Sequence, residues 1–234
     1  MASYAFDHIT LKMHIDGRFA DRELRALENS LFPALEPGGV CLDIGANIGN
    51  HAISFADHMS QVHAFEPNRK ALDLLELNAR LRKNITVHPV GLSDREQTVT
   101  GLQPLYNLGG TAASPQNGAK GDPVSLPLRR LDDIDLGLDG RPVTFVKIDV
   151  EGHEAEVIRG GEQTLRAHQP VIGMEVDRRS VAGGSSPALD AASALGYSHM
   201  YALTRGRGTR FRAVGKAAAR NYPLLLLSTK PLPL

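Results

Sequence analysis

Val40-Cys-Leu-Asp-Ile-Gly-Ala-Asn-Ile-Gly49 passes from an apolar, β-branched run through an acid into a loop punctuated by two glycines. Directly after it Ile48, Ala52, Phe55 and Ala56 recur at i, i+4, i+7 and i+8, so a helix with one apolar stripe leaves that loop. Strand, glycine loop and helix in this order open a layered α/β domain, in which a ligand meets the carboxyl end of a strand and the start of a helix. Outward along the chain the pattern repeats. Residues 40–43, 62–66, 85–90, 143–149 and 171–176 are strand-like runs, each ending at or next to an acid or a glycine. Pro67 and Asn68 look like a helix start, with Leu74, Leu77 and Leu81 joining Leu72, Leu75 and Ala79 on the expected buried face.

The rest of the chain bounds this core. With 234 residues, 42% hydrophobic and 22% charged, the sequence is that of an ordinary globular protein of one large domain. Twenty-six basic against twenty-six acidic residues leave no net charge, which argues against a surface that tracks nucleic-acid phosphates. Cys41 is the single cysteine, so no internal disulfide forms, as expected of a reducing compartment. Neither the first residues nor the apolar stretch at 224–227 resembles a secretion signal or a membrane span, and a cytoplasmic protein without a membrane partner is expected.

Residues 1–38 read as a hairpin and helix packing on the core, and 39–234 as the main domain. Turn signals at Gly109-Gly110, Ser114-Pro115, Asn117-Gly118 and Asp122-Pro123 make 101–127 a loop insertion. After a Gly/Ser-rich break at 182–187 come a short helix at 188–195 and two antiparallel strands, 211–214 and 224–227, that close the sheet.

The glycine loop discriminates between cofactors. A dinucleotide fingerprint places Gly at positions one, three and six, but the frame with Gly45 third has Asp43 first and Ile48 sixth. A carboxylate at Asp43 repels a pyrophosphate and accepts hydrogen bonds from an ammonium group, which suits the amino-acid and adenosine parts of S-adenosyl-L-methionine. Glu66 follows Asp43 by 23 residues, near the offset at which a strand-terminal acid accepts ribose hydroxyls. The third strand leads to Gly91-Leu92-Ser93-Asp94, placed to meet an adenine edge. A second acidic cluster, Lys147-Ile-Asp149-Val-Glu151-Gly-His153, interleaves charge with strand residues. Clustered carboxylates perturb one another's pKa, and His153 is a candidate general base. Asp149, Glu151 and His153 lack the helical spacing of a metal-binding motif, and no metal is expected.

Four strings, VCLDIGANIGNHAISFA, VHAFEPN, VGLSD and FVKIDVEGHEAEVIRGG, in this order and spacing resemble the FkbM family of S-adenosylmethionine-dependent methyltransferases, over roughly residues 40–175. The resemblance implies a Rossmann-like class I methyltransferase fold, α/β, with a seven-stranded, mostly parallel sheet, helices on both faces and an antiparallel last strand. It assigns Asp43, Gly45, Asn47 and Gly49 to the cofactor loop, Glu66 to the ribose, Leu92, Ser93 and Asp94 to the adenine, and Asp149 and Glu151 to the side facing the methyl group. Asn107 and Thr111 resemble the segment beside the acceptor. The implied reaction is O-methylation of a sugar, natural-product intermediate or other small metabolite. N-methylation of a peptide is an alternative, as is a non-catalytic module that keeps the cofactor as a ligand. The acid-free stretch Arg205, Arg207, Arg210, Arg212, Lys216, Arg220 could attract an anion, but only Phe211 interrupts it, so base stacking is not expected. Oligomeric state is not readable; apolar residues near Phe6 and Leu11 fit either intrachain packing or a homodimer.

Overall fold

Helices open the chain: α1 (His8–Asp16), α2 (Asp21–Ala26), a π-helical turn Leu27–Leu31 and a 3₁₀ turn Phe32–Ala34. There follow β1 (Val40–Ile44), α3 (Asn50–Phe55), β2 (Gln61–Phe65), α4 (Arg69–Ala79), β3 (Ile85–His88), β4 (Gly91–Leu92), β5 (Gln97–Gln103) and β6 (Asp122–Arg129). The second half contains β7 (Val143–Ile148), α5 (Glu154–Gly160), α6 (Glu162–His168), β8 (Val171–Val176), α7 (Pro187–Ala194), β9 (His199–Leu203), β10 (Phe211–Ala213) and β11 (Tyr222–Ser228). The computed structural model describes residues 1–4, 8–104, 111–113, 120–176, 186–203, 210–215 and 222–234.

Among the described residues the central sheet has the order β10-β9-β11-β8-β7-β1-β2-β3. Strands β3, β2, β1, β7 and β8 pair in parallel, whereas β11 runs antiparallel between β8 and β9, and β10 antiparallel on β9. The chain moves outward from β1 through β2 to β3, then returns to lay β7 on the other side of β1. The switch point therefore falls between β1 and β7, and a crevice opens outside their carboxyl ends. Both strands are buried throughout, which is why their sequences read as continuous apolar runs.

Several expectations need correction. The sheet has eight strands, one more than the seven expected: β9, which lies between β11 and β10, is the addition. Strand β9 carried too little periodicity to stand out beside α7. The supposed insertion at 101–127 begins and ends in strands: β5 and β6 pair antiparallel from Gln97↔Leu128 to Gln103↔Asp122, and β4 joins β6 in a second, three-stranded sheet. Its middle, 105–110 and 114–119, lies outside the described residues. Among its described residues the N-terminal segment forms helices and no strand, not a hairpin. On α4 the buried stripe is Ala71, Leu72, Leu75, Asn78 and Ala79, while Leu77 and Leu81 are exposed.

Each face of the sheet carries one core. On one side α5, α6 and α7 cover Val40, Leu42, Ile44, Val146 and Ile148; on the other the N-terminal helices, α3 and α4 cover Cys41, Val62, Ala64 and Phe145. The second core is built on Phe32, Phe55 and Phe145, which meet edge to face with centroids 5.5–5.6 Å apart. This geometry is favourable beyond the area it buries. Phe145→Ala, which leaves a cavity at the centre of that cluster, is expected to destabilise the protein by about 3–5 kcal/mol in denaturant unfolding, and a loss under 1 kcal/mol contradicts this packing role.

Candidate active site

The crevice at the switch point is a cavity of about 350 Å³. Its floor is the β1–α3 loop. Gly45 has φ +82°, and a Cβ there would collide with the carbonyl oxygen of Asp149, so the loop and the end of β7 touch only because the residue is glycine. Two backbone N–H groups, of Gly45 and Ala46, donate to the Phe65 carbonyl at 3.0 Å, and the Asp149 N–H donates to the Ile44 carbonyl at 3.0 Å. These bonds tie the loop to β2 and β7 at once. Gly49, also at positive φ (+90°), turns the chain into α3.

Glu66 stands at the end of β2 as part of the cavity wall, with 7% of its surface exposed. Its Oε2 accepts the Asn47 N–H at 2.9 Å and its Oε1 the Asn68 N–H at 2.8 Å. Each oxygen keeps a lone-pair direction for a further donor. Burial pushes this carboxyl up to about 7 against those two N–H bonds, with nearby Asp43 adding to the rise. Asn68 caps α4 by accepting the Lys70 N–H at 3.1 Å. Its amide donates to Gln103 Oε1 (3.0 Å) and Thr111 Oγ1 (2.9 Å), which draws the end of β5 and Thr111 to the cavity.

Three charges meet at the ends of β1 and β7. Lys147 Nζ, buried, donates to Asp149 Oδ2 at 2.8 Å. Across the β1–β7 pairing Lys147 is in register with Asp43, which is buried beneath the loop and leaves Oδ2 without a partner. Burial raises Asp43 to about 7, partly opposed by Lys147 and reinforced by Asp149. Burial opposes charge on Lys147 and on Asp149 too, but their mutual attraction and hydrogen bond prevail: the lysine is held above its usual value and Asp149 below the usual carboxylate range.

The structure brings most of the expected residues to this place. Gly45, Asn47, Glu66, Leu92, Thr111, Asp149, Glu151 and His153 line the cavity. Asp43 and Ser93 sit behind the wall, fully buried, and Asp94 faces Arg159 at 4.0 Å outside it. Asn107 lies outside the described residues, as do Arg205, Arg207, Lys216 and Arg220. Extended geometry stops at Ile148; Glu151 (φ +52°) and Gly152 (φ +94°) turn the chain, so Glu151 is at the cavity by a turn and not by strand alternation. His153 Nε2 is 2.9 Å from Ser93 Oγ, which links α5 to the β4 end. Sequence reasoning passed over His51, Phe19, Glu23 and Leu224, which also line the cavity. His51 lies off the apolar stripe of α3, and the others come from segments remote from the motifs.

A parallel sheet flanked by helices, an antiparallel strand β11 inserted near one edge, and a glycine loop with an acid at the next strand end define a class I methyltransferase. The model of the FkbM methyltransferase domain matches residues 43–200, and the chain belongs to that family. It is 30% identical over 148 residues to the 2-O-methyltransferase NoeI of Sinorhizobium fredii, covering 56% of this chain and 60% of that protein. It is 32% identical over 146 residues to the hexuronic acid methyltransferase AglP of Haloferax volcanii, covering 61% and 58%. The chain thus spans about three fifths of the length of the curated relatives it matches. Among solved structures, an FkbM methyltransferase from Methylobacillus flagellatus superposes with TM-score 0.51 at 18% identity, over 82% of this chain and 44% of that one. An O-methyltransferase from Bacillus cereus in complex with SAH superposes with TM-score 0.50 at 15% identity, over 97% and 91%. These two likenesses concern the fold.

Lys147→Met tests the buried charges. Removing the cation strands two carboxylates, and since the Asp149 side chain keeps 35% exposure the expected loss is about 2–3 kcal/mol at neutral pH, less than for a fully enclosed pair. The deficit should shrink as pH falls toward 4, where the carboxyls protonate; a deficit independent of pH would contradict the assignment.

Proposed function

We propose that this chain transfers a methyl group from S-adenosylmethionine to a hydroxyl oxygen of a sugar or another small polyhydroxylated metabolite, in the cytoplasm. The observation that carries this reading is Glu66: a buried carboxylate at the cavity wall, both oxygens fixed by backbone N–H groups and both able to accept one more donor. That geometry fits two adjacent ribose hydroxyls. The Gly45–Asn47 backbone, Glu66, Leu92 and Asp149 are the proposed cofactor contacts. Asp43, Gly49 and Ser93 support them from behind, and Asp94 stays at the rim.

When bound, the cofactor supplies an electrophilic methyl on a positively charged sulfur. What the chain contributes is alignment of the acceptor, exclusion of water and removal of a hydroxyl proton. Phe19 and Leu224 give the opposite wall apolar surface, while Glu23 and Glu151 offer acceptors for sugar hydroxyls. The two relatives, a 2-O-methyltransferase and a hexuronic acid methyltransferase, favour oxygen in a sugar over nitrogen in a peptide.

Incubation with S-adenosylmethionine and a panel of neutral hexoses, deoxyhexoses and hexuronic acids should yield S-adenosylhomocysteine together with a sugar one methylene heavier. Cofactor turnover on a peptide amide and on no sugar would redirect the acceptor reading to nitrogen. Affinity for S-adenosylhomocysteine should also depend on pH. Glu66 accepts two ribose donors best when ionised, and its carboxyl is raised to about 7, so binding weakens as pH falls through that value. Between pH 8 and pH 6 calorimetry should show a drop approaching tenfold per pH unit below the pKa for the proton Glu66 takes up on release. A flat profile contradicts the role of this acid.

A further inference from the structure

Of the groups that face the cavity, one imidazole is not engaged by the protein. His51 is the second residue of α3, immediately past the glycine loop. Its ring is held between Phe55 in the core, with centroids 5.8 Å apart, and Phe19 at the cavity, edge-on at 6.4 Å and 82°. Among the described residues neither ring nitrogen has a hydrogen-bond partner, and neither is sealed from the cavity. The residues of the acidic cluster differ. His153 has Nε2 on Ser93 Oγ at 2.9 Å and Nδ1 3.7 Å from Glu156, so both nitrogens are turned to protein groups. Asp149 is held by Lys147. Glu151 sits exposed on a left-handed turn at the mouth.

We propose that His51 is the base that takes the proton from the acceptor hydroxyl, and that His153 positions the Ser93 turn of the cofactor pocket. This rests on the methyltransferase reading above. The acceptor oxygen forms its bond to the transferred carbon, the electron pair of the bond that held that carbon stays on sulfur, and the O–H proton goes to an imidazole nitrogen of His51. The imidazolium then releases the proton to water at the mouth. Burial, Lys147 and, more weakly, Arg18 push His51 down to about 3 against an upward pull from Asp149, so the ring is neutral and able to accept a proton throughout the physiological range. A weak base suffices, because the hydroxyl of an oxygen under alkylation is far more acidic than a free one. The positive charge is also only relocated, from sulfur to the ring, within a pocket that Asp149 faces.

Diethyl pyrocarbonate, which acylates neutral imidazole, provides a readout that needs no acceptor. In this chain at about pH 6, peptide mass mapping should find His51 modified, both alone and with saturating S-adenosylhomocysteine, since the ring faces the acceptor side. His51→Gln should bind S-adenosylhomocysteine within about threefold of wild type yet lose roughly 10²–10⁴ in turnover on the sugar panel, with imidazole restoring part of the rate in His51→Ala. Protection of His51 by S-adenosylhomocysteine, absence of modification, or full turnover in His51→Gln overturns the proposal. A wild-type chain that binds no S-adenosylhomocysteine and methylates nothing overturns instead the reading on which it rests.

Discussion

Lys147 holds two carboxylates from adjacent strands inside the sheet, and the cavity floor depends on that arrangement. Asp43 on β1 and Lys147 on β7 are in register, and Asp149 follows two residues later with its oxygen 2.8 Å from the ammonium group. Without the cation, two acids would face one another in a buried, poorly solvated place. With it, the carboxyl ends of β1 and β7 can sit side by side at the switch point, where the loop from Gly45 must pass over the Asp149 carbonyl. The loop leads directly into α3, whose second residue, His51, lines the cavity.

Polar groups around this point are fixed by one another. Glu66 is held by Asn47 and Asn68, Asn68 by α4, and Thr111 by Asn68. Preorganisation of this kind lowers the ordering required on binding. The wall opposite is of different origin. Phe19, Glu23 and Leu27 come from the N-terminal helices and Pro223 and Leu224 from β11, all outside the residues that match the family model. Arg18 secures the former by bonds to Asp21, Glu28 and Ser54, and Asn50 by donating to the Phe19 carbonyl at 3.0 Å. On the proposed reading, the wall formed by residues outside the matched range is the one that faces the acceptor.

Much of the central fold was legible in the sequence because its strands are buried on both faces and its glycines are required by sterics. β1, β2, β7 and β8 stand within a residue or so of their expected ends, and Asn68 caps α4 where the Pro67-Asn68 pair placed a helix start. Local pattern failed where long-range pairing decides the outcome. β5 and β6 are edge-type strands with alternating exposure, interrupted by Gly101 and two prolines, and they exist because they pair with one another. The stripe of α4 was misread because leucines at 77 and 81 are as apolar as those that are buried; only the placement of α3 and the sheet selects the face. At the site, motif residues were legible and their depth was not. Nothing in the order of residues distinguishes Asp43 below the floor from Glu66 in the wall, or shows that His153 is turned to Ser93 while His51 is open.

The account stands most directly on Glu66, and the measurement that tests it is calorimetric titration of wild type and Glu66→Ala with S-adenosylhomocysteine, with NAD as the control. Micromolar binding in wild type, none of NAD, and a loss of roughly 1.5–3 kcal/mol for each charge-assisted hydrogen bond removed in the variant are the expected results. Equal affinity in the two proteins would mean that Glu66 serves only to brace the loop and α4, and that the cavity does not hold a ribose where the account places it.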